Sequence, residues 1–551
     1  MTHYVLATTP GSGQEPDFTL LPLDDQGHPA GRPVTDTTIK TATAIRGIQS
    51  EDHASRFIWE DTRTAYAPLL KHGVHVARCH DLGLAARALA PLAGRDSLIP
   101  PRPAHLDAPA VDPAQDSLFA TPSRTGPDAE TLAAEYRRQL ASRTRAASSP
   151  TLDGRRLWML AGLDSAGALA AEEMHATGIP WDRATHDALL QRVLGPRVPE
   201  GTRPETLQRL VDAMRDRLDA PEMNPDSQPD LLRTLHRNGI EAASTRKWDL
   251  EQLDHAVIAD LLEYRKLSRL HAANGWAWLD AWVRDGRFHP TYDVAAVVSG
   301  RWGGHGGGVQ QLPKEVRSAV RADPGHTLVV ADASQLEPRV LAAVSGDRAL
   351  AAAGDGADLY QGIADLAFGG DRKVAKVAML GAMYGGTTGI SAQMAPRLAH
   401  TFPTATAFLE RAARTGERGG VVATWLGRVS PAPREMPDDA ESSRGSSPSA
   451  RAARAQGRFT RNFVVQGSAA EWAAAWLATL RTRLHQAVPE AHQVLFLHDE
   501  IMVHAPSETV ASVERIMAES AAEASSLMFG AIPVQFPVDV DHGQDYATAK
   551  H

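Results

Sequence analysis

The residues best placed to do chemistry in this chain are two aspartates, each delivered by a short apolar run. Leu328-Val329-Val330-Ala331 leads to Asp332, followed by Ala333-Ser334-Gln335-Leu336-Glu337-Pro338-Arg339. Val494-Leu495-Phe496-Leu497 leads to His498-Asp499-Glu500, after which Ile501-Met502-Val503 resumes the apolar pattern. Such runs read as buried strands, and a carboxylate carried to the end of one costs too much to leave unpaired. Two converging Asp groups repel unless a hard cation lies between them, and Mg²⁺ prefers such oxygen ligands. Between the aspartates, Arg372, Lys376, Leu380 and Tyr384 recur every four residues. They line one slowly drifting stripe of a helix begun by Asp371. Like charges at i and i+4 mildly destabilise a helix unless an anion bridges them. A triphosphate is such an anion, gripped by Arg372 as a fork and by Lys376 as a point charge, with the Tyr384 ring near the base. Gly381 and Gly385 read as helix-interior positions that remove side chains beside the stripe. The chemistry this predicts is phosphoryl transfer on a nucleoside triphosphate.

Each segment also has a plainer reading. Asp332 and Ser334 are ordinary helix caps, His498-Asp499-Glu500 suits an exposed hairpin turn, and Arg372 with Lys376 suits a solvated basic face. Two glycines in the same helix fit poorly with the last of these.

The elements that position these groups need a large chain. At 551 residues, with 43 % hydrophobic and 22 % charged, it exceeds one core and predicts several domains. No apolar run is long enough to span a membrane, and the N-terminus lacks the pattern of a secretory signal. The single cysteine, Cys79, excludes an internal disulfide and fits a reducing compartment. The expected location is cytoplasmic and nucleoid-associated. A net charge of −9 does not advertise nucleic-acid binding, although only the field along a binding groove bears on that.

Residues 1–90 read as a small mixed α/β unit, and 96–127 as a flexible Pro-rich segment. Helical patterns run from about 129 to 282, strands and loops from 288 to 330, and helices again to about 425. The stretch 430–456 reads as a low-complexity surface insertion, and a helix from about 467 to 485 leads into the second aspartate hairpin.

The three central segments resemble motifs A, B and C of the family A DNA polymerases. Motif A matches at Asp332, Ser334, Gln335, Glu337 and Arg339, motif B at Arg372, Lys376, Gly381, Tyr384 and Gly385, and motif C at His498, Asp499 and Glu500. Further similarity falls in order at Tyr264-Arg265-Lys266-Leu267-Ser268-Arg269-Leu270, Ser299-Gly300-Arg301, Gln310-Gln311-Leu312-Pro313, and Arg458, Asn462 and Gln466-Gly467-Ser468-Ala469-Ala470. The resemblance implies an α/β and α+β multidomain protein. A right-hand polymerase domain (155–551) has a palm built on an antiparallel sheet and helical fingers and thumb. A small mixed α/β, ribonuclease H-like exonuclease-type domain (1–150) precedes it. The implied spans are thumb about 165–298, palm about 299–340 and 458–551, and fingers about 341–457.

By the same resemblance, Asp332, Asp499 and the Ala333 carbonyl hold two Mg²⁺ ions, with Mn²⁺ as the alternative. Asp332, Asp499, Lys376, Arg372 and Glu500 are the catalytic set. Ser334, Gln335, Glu337, Tyr360, Arg372, Lys376, Leu380 and Tyr384 bind the nucleotide, Glu337 as a steric gate against a ribose 2′-hydroxyl. Asn224, Ser227, Arg265, Arg269, Arg301, Gln310, Arg458, Asn462, Gln466 and His498 contact DNA. The implied partners are primer-template DNA and deoxynucleoside triphosphates, with no membrane, and the protein is expected to be a monomer acting in DNA repair or replication.

Several positions depart from the family pattern. Leu380 stands in place of a Phe, Asp358-Leu359-Tyr360 in place of Asp-Ile-His, Gly308 in place of an Asn, and Ala333 in place of a Tyr. None removes a metal ligand or a triphosphate cation. In the N-terminal unit no Asp-x-Glu follows a strand and no Tyr-x3-Asp occurs, so a degenerate 3′–5′ exonuclease fold is expected, with Asp61 and His80-Asp81 as surface remnants. No 5′ nuclease domain is expected. The alternatives are a catalytically altered or non-catalytic DNA-binding homologue, and a phage-type RNA polymerase, which would lack Glu337 and Glu500.

Overall fold

A computed structural model of the chain describes residues 2–11, 15–93, 126–146, 153–199, 201–356, 358–386, 389–433 and 448–550. The expected flexible segment 96–127 lies outside the described residues except for its last two, as do 434–447 of the expected insertion. The chain divides into two compact units, the first formed by 1–177, 291–305 and 325–542.

The first unit opens with five strands, β1 (His3–Thr9), β2 (Asp17–Leu23), β3 (Val34–Thr37), β4 (Arg56–Trp59) and β5 (Cys79–Asp81), in the order 3-2-1-4-5. β2 runs antiparallel to β1 and β3, whereas β1, β4 and β5 are parallel. Side chains alternate between the two faces of a strand, and both faces are apolar here. Leu6, Phe57 and Trp59 pack with Tyr66 and Leu69 on one face, and Val5, Ala7 and Ile58 with Leu132, Ala133 and Tyr136 on the other.

Helix α1 (Gly154–Thr177) packs against β5 and against the helix Thr62–Leu70. The expected start of the thumb near residue 165 falls inside this helix, and the second unit begins at Gly178.

A four-stranded sheet forms the other half of the first unit: β6 (His326–Ala333), β7 (His492–Leu497), β8 (Glu500–Pro506) and β9 (Val538–Gly543), in the order β7-β8-β6-β9. β8 is antiparallel to both β6 and β7. Leu328, Val329, Val330 and Ala331 are all buried, which accounts for an unbroken apolar run rather than an alternating one. Helices α2 (Leu336–Ser345), α3 (Leu359–Ala367), α4 (Arg372–Tyr384), α5 (Gly389–Thr401) and α6 (Pro403–Glu417) follow. They share an apolar core that includes Leu341, Ile363, Met379, Met383, Phe402 and Leu409.

Helix α7 runs from Pro448 to Ala487, forty residues, and α8 covers Val510–Phe529. α7 therefore starts about twenty residues before the expected 467. Residues 449–456 were expected in the insertion, but Ala, Arg and Gln are strong helix formers and Pro448 sits at the first helical position, where it is tolerated.

The second unit comprises 178–290, 306–324 and 543–551. Its core gathers Trp181, His186, Trp278 and Phe288, with Trp181 and Trp278 touching each other and both remaining rings. The chain returns to it late: Tyr546 N–H donates to the Val320 carbonyl (2.9 Å), and the buried Tyr546 ring lies 4.5 Å from the Arg317 guanidinium. Among the described residues no helix is long and apolar enough to cross a membrane.

Candidate active site

The two aspartates meet because β8 lies between β6 and β7. Asp332, near the end of β6, is in register with Glu500 at the start of β8, and Leu497 of β7 with the same Glu500. That leaves His498-Asp499 as a two-residue turn. His498 takes the left-handed conformation (φ 57°), and Asp499 N–H donates to the Leu497 carbonyl at 2.6 Å. Ala333 N–H donates to the Asp499 carbonyl (2.9 Å), so the tip of the hairpin is stitched to the end of β6. Burial pushes the Asp499 carboxyl up to about 6; the Asp332 charge adds to this and Arg301 opposes it. Both are the expected effects of low dielectric and a like charge. Glu500 is buried.

The residues after Asp332 are held by separate contacts. Ser334 donates its hydroxyl to the Asp539 carboxylate. Gln335 also has positive φ (55°), uncommon for a side chain of its kind, and it is fixed at both ends of its amide. Gln335 Nε2 donates to Asp358 Oδ1 (3.1 Å), and its Oε1 accepts the Leu359 N–H (2.7 Å). Arg339 is fully buried. Its guanidinium donates to the carbonyls of Ser334, Gly354, Gln535 and Gly356 at 2.9–3.2 Å, binding three segments into one support.

Helix α4 is capped by Asp371, which accepts the Val374 N–H. It buries Ala375, Ala378, Met379 and Met383 and leaves Arg372 and Lys376 exposed. Arg372 Nε donates to Asp358 Oδ2 at 2.5 Å, and the Arg372 guanidinium and Lys376 ammonium lie 5.8 and 5.9 Å from the Tyr360 ring. Asp358 thereby joins Gln335 of the first aspartate segment to Arg372 of the basic helix. A second link is Glu337, which accepts Arg301 Nη2 at 2.6 Å on one oxygen and the Tyr384 hydroxyl at 2.7 Å on the other. Leu380 packs, partly buried, on the core beneath the helix.

The glycines need a correction. Gly385 is not interior: it is the C-cap (φ 73°), and a Cβ there would meet Arg458 Cγ at 2.7 Å. Gly381 is interior, and a Cβ would lie 2.4 Å from Ser391 of α5, so it admits a protein side chain rather than open space.

Of the remaining residues expected at DNA, five belong to the first unit. His498 is exposed at the turn, Arg301 is tied to Glu337, and Arg458 packs on Gly385. Gln466 accepts the Ser299 hydroxyl at 2.9 Å, and Asn462 Nδ2 is buried beside the Tyr384 hydroxyl. The second unit holds the other five. Asn224 and Ser227 form the turn that heads the helix Gln228–Arg237, with Asn224 Oδ1 accepting the Asp226 N–H. Arg265 and Arg269 line a groove of about 920 Å³ together with Lys247 and Lys266. Gln310 sits in the short turn Val309–Gln311.

Asp358, Arg339 and Asp539 were given no role from sequence. An arginine between Leu336 and Val340-Leu341 in an apolar helix was the available signal for Arg339. In the N-terminal unit Asp81 is not a surface remnant. It is fully buried, its carboxyl pushed up to about 6 by burial, and it accepts Thr62 N–H (2.8 Å), Thr62 hydroxyl (2.7 Å) and Leu84 N–H (2.9 Å). Three donors make burial of this side chain tolerable. His80 is buried too, bonded to Gln139 and stacked on Trp158. Asp61 caps the helix Thr62–Leu70. β1 ends in Ala7-Thr8-Thr9, without an acid.

Residues 205–548 match the family model described as DNA polymerase family A. The chain belongs to DNA polymerase family A. It is 27 % identical over 523 residues to the thermostable DNA polymerase I of Thermus aquaticus, covering 85 % of this chain and 58 % of that one. Over 341 residues it is 29 % identical to DNA polymerase I of Chloroflexus aurantiacus, covering 56 % of this chain and 34 % of the relative. It is 29 % identical over 293 residues to the DNA polymerase of Mycobacterium phage D29, covering 48 % and 44 %. This family A chain thus spans little more than half the length of the Thermus relative. Among solved structures it is similar to the polymerase domain of Pol1 from M. smegmatis, in a complex with DNA primer-template and dNTP. The TM-score is 0.69 at 18 % identity, over all of this chain and 96 % of the other.

Proposed function

We propose that this chain extends a primer 3′-hydroxyl on a DNA template, taking deoxynucleoside triphosphates and releasing pyrophosphate. The observation that carries this is the pairing of Asp332 with Asp499 at the end of one sheet, with the Asp499 carboxyl raised by burial and by its neighbour. The donor set is all oxygen, and its mutual repulsion is what a divalent cation relieves, so the residues fit Mg²⁺. Held by Asp332, Asp499 and the Ala333 carbonyl, two such ions would supply a lowered pKa at the attacking hydroxyl and charge neutralisation at the leaving pyrophosphate.

The protein's own groups do the rest. Arg372 and Lys376 bind the triphosphate, for which Arg372 must exchange its Asp358 partner, and Lys376 gives the leaving group a proton. Glu337, braced by Arg301 and Tyr384, fills the space of a ribose 2′-hydroxyl. Tyr384 leaves Glu337 to stack at the templating position as α4 closes. His498, Arg458, Gln466 and Asn462 face the primer end and minor groove. Arg265, Arg269, Asn224 and Ser227 track the duplex backbone without reading sequence. The 1–150 domain is a degenerate exonuclease fold without 3′ trimming, since β1 lacks its acidic pair and Asp81 is committed to Thr62. The pathway served is repair or replication.

Primer extension with Mg²⁺ and four deoxynucleotides tests this. Wild-type protein should extend, and Asp332→Ala or Asp499→Ala should abolish extension while leaving the circular dichroism spectrum intact. Lys376→Ala should lower the rate by ~10²–10³. A wild-type protein that leaves the primer untouched, or a fully active Asp499→Ala, would refute the proposal.

A further inference from the structure

The N-terminal sheet and the polymerase sheet are joined at a point the polymerase chemistry does not use. Glu173 lies near the end of α1, His75 follows the helix Thr62–Leu70, and His485 lies in the last turn of α7. One ligand atom from each lies within 4.8 Å of the others. His75 Nδ1 stands 3.6 Å from Glu173 Oε1, and His485 Nε2 stands 3.6 Å from Glu173 Oε2. That is too long for a hydrogen bond. It is close to the ~3.3 Å that separates two donors on one tetrahedral ion with bonds of about 2.0–2.2 Å. The three groups open into a cavity of about 250 Å³ that His492 also lines. The cavity provides an entry path and room for water in the fourth position.

We propose that His75, Glu173 and His485 bind a borderline divalent transition-metal ion of the Zn²⁺ class, clamping the N-terminal sheet domain to the long helix of the polymerase domain. Nitrogen-rich sites favour Zn²⁺, Ni²⁺, Cu²⁺ and Co²⁺ over Mg²⁺, so this site is chemically separate from the aspartate pair. Glu173 is already oriented. Its Oε1 accepts Tyr66 (2.6 Å) and Arg481 Nη2 (2.6 Å), while among the described residues its Oε2 accepts a hydrogen bond only from Arg481 Nε (2.7 Å), which leaves a position for the ion. Partners of this kind fix a ligating carboxylate in place. The Arg481 charge also reduces the pull on the cation, so the site depends on its imidazoles and should release the ion readily to a chelator.

The test uses the full chain carrying Asp332→Asn and Asp499→Asn, which silences the aspartate pair. It is stripped with a chelator and titrated with Co²⁺ in excess Mg²⁺. One equivalent should bind with visible d–d absorption of low-symmetry geometry, be displaced by Zn²⁺, and raise the melting temperature by roughly 2 °C or more at saturation. His75→Gln and His485→Gln, which retain size and polarity, should each remove the absorption and the thermal shift. Failure of Co²⁺ to bind, or binding that persists unchanged in both variants, overturns the proposal. If His485→Gln proves unfolded by circular dichroism, His75→Gln on its exposed loop decides alone.

Discussion

At the scale of single residues, the site is a set of charges held where each is least comfortable alone. Asp499 shows this with a definite sign. Its folded-state pKa of about 6 stands above the ~3.9 of an unfolded aspartate, so the native state holds the extra proton between those values. Stability of the metal-free protein therefore falls as pH rises from about 4 to 6, and the whole penalty persists above that window. Asp499→Asn should raise the melting temperature at pH 8 and leave it unchanged below about pH 4. Equal shifts at both values would show that burial and Asp332 are not the cause. Glu337 supports a second prediction: Glu337→Ala should raise ribonucleotide incorporation, read as the ratio of kcat/KM for ribo- and deoxynucleotides. Tyr384→Phe, which removes the 2.7 Å bond to Glu337 and keeps the ring, should leave that ratio nearly unchanged. The types of these residues could be read from sequence because the chemistry restricts them to carboxylates and cations. Their pairings could not. That Glu337 bridges Arg301 and Tyr384, and that Gln335 and His498 bend into positive φ, follows from how three segments meet.

At the scale of elements, the basic helix and its neighbour are set by one missing methyl group. Gly381 lets Ser391 approach to a distance that a Cβ would forbid. Gly381→Ala gains ~1 kcal/mol of helix propensity, but the clash should cost about 1–3 kcal/mol and shift α5. The double variant with Ser391→Gly should recover the loss. A thermodynamic cycle measured by urea denaturation checks this, and simple additivity of the two changes would rule out the contact as the reason for glycine. The helix itself was visible in the four-residue spacing, and the hairpin in its broken apolar run. The start of α7 was obscured because Ser and Pro near 448 resemble a linker, while the Ala and Arg that follow them favour helix. Asp81 was misplaced for a related reason: a short Cys-His-Asp run gives no sign that Thr62 waits with two donors.

At the scale of the whole molecule, Arg481 holds distant parts of the first unit together. It forms a bidentate pair with Glu173 and donates to the Val76 carbonyl at 2.7 Å, with almost no exposure to solvent. Arg481→Met would leave Glu173 without its main cation, at a cost of ~3–5 kcal/mol. The expected result is a lower denaturant midpoint and earlier proteolysis of the N-terminal domain than of the polymerase domain. A midpoint within error of wild type would mean that the pair is energetically neutral. Composition announced several domains, but the mixed 3-2-1-4-5 strand order and the pairing of residue 173 with 481 depend on contacts too remote in sequence for local patterns to register.

The return of residues 543–551 to the second unit bears on how the protein is made. The Val320 carbonyl stays unpaired by this segment until Tyr546 arrives, and Tyr546 is synthesised only after the entire intervening sheet and its helices. A nascent chain stalled on the ribosome before Gly543 would leave the Val320 carbonyl and the Ala322 N–H without the partners that Tyr546 and Gln544 supply, an open backbone edge and a ready target for chaperones. A protease cut at the same place would expose it again.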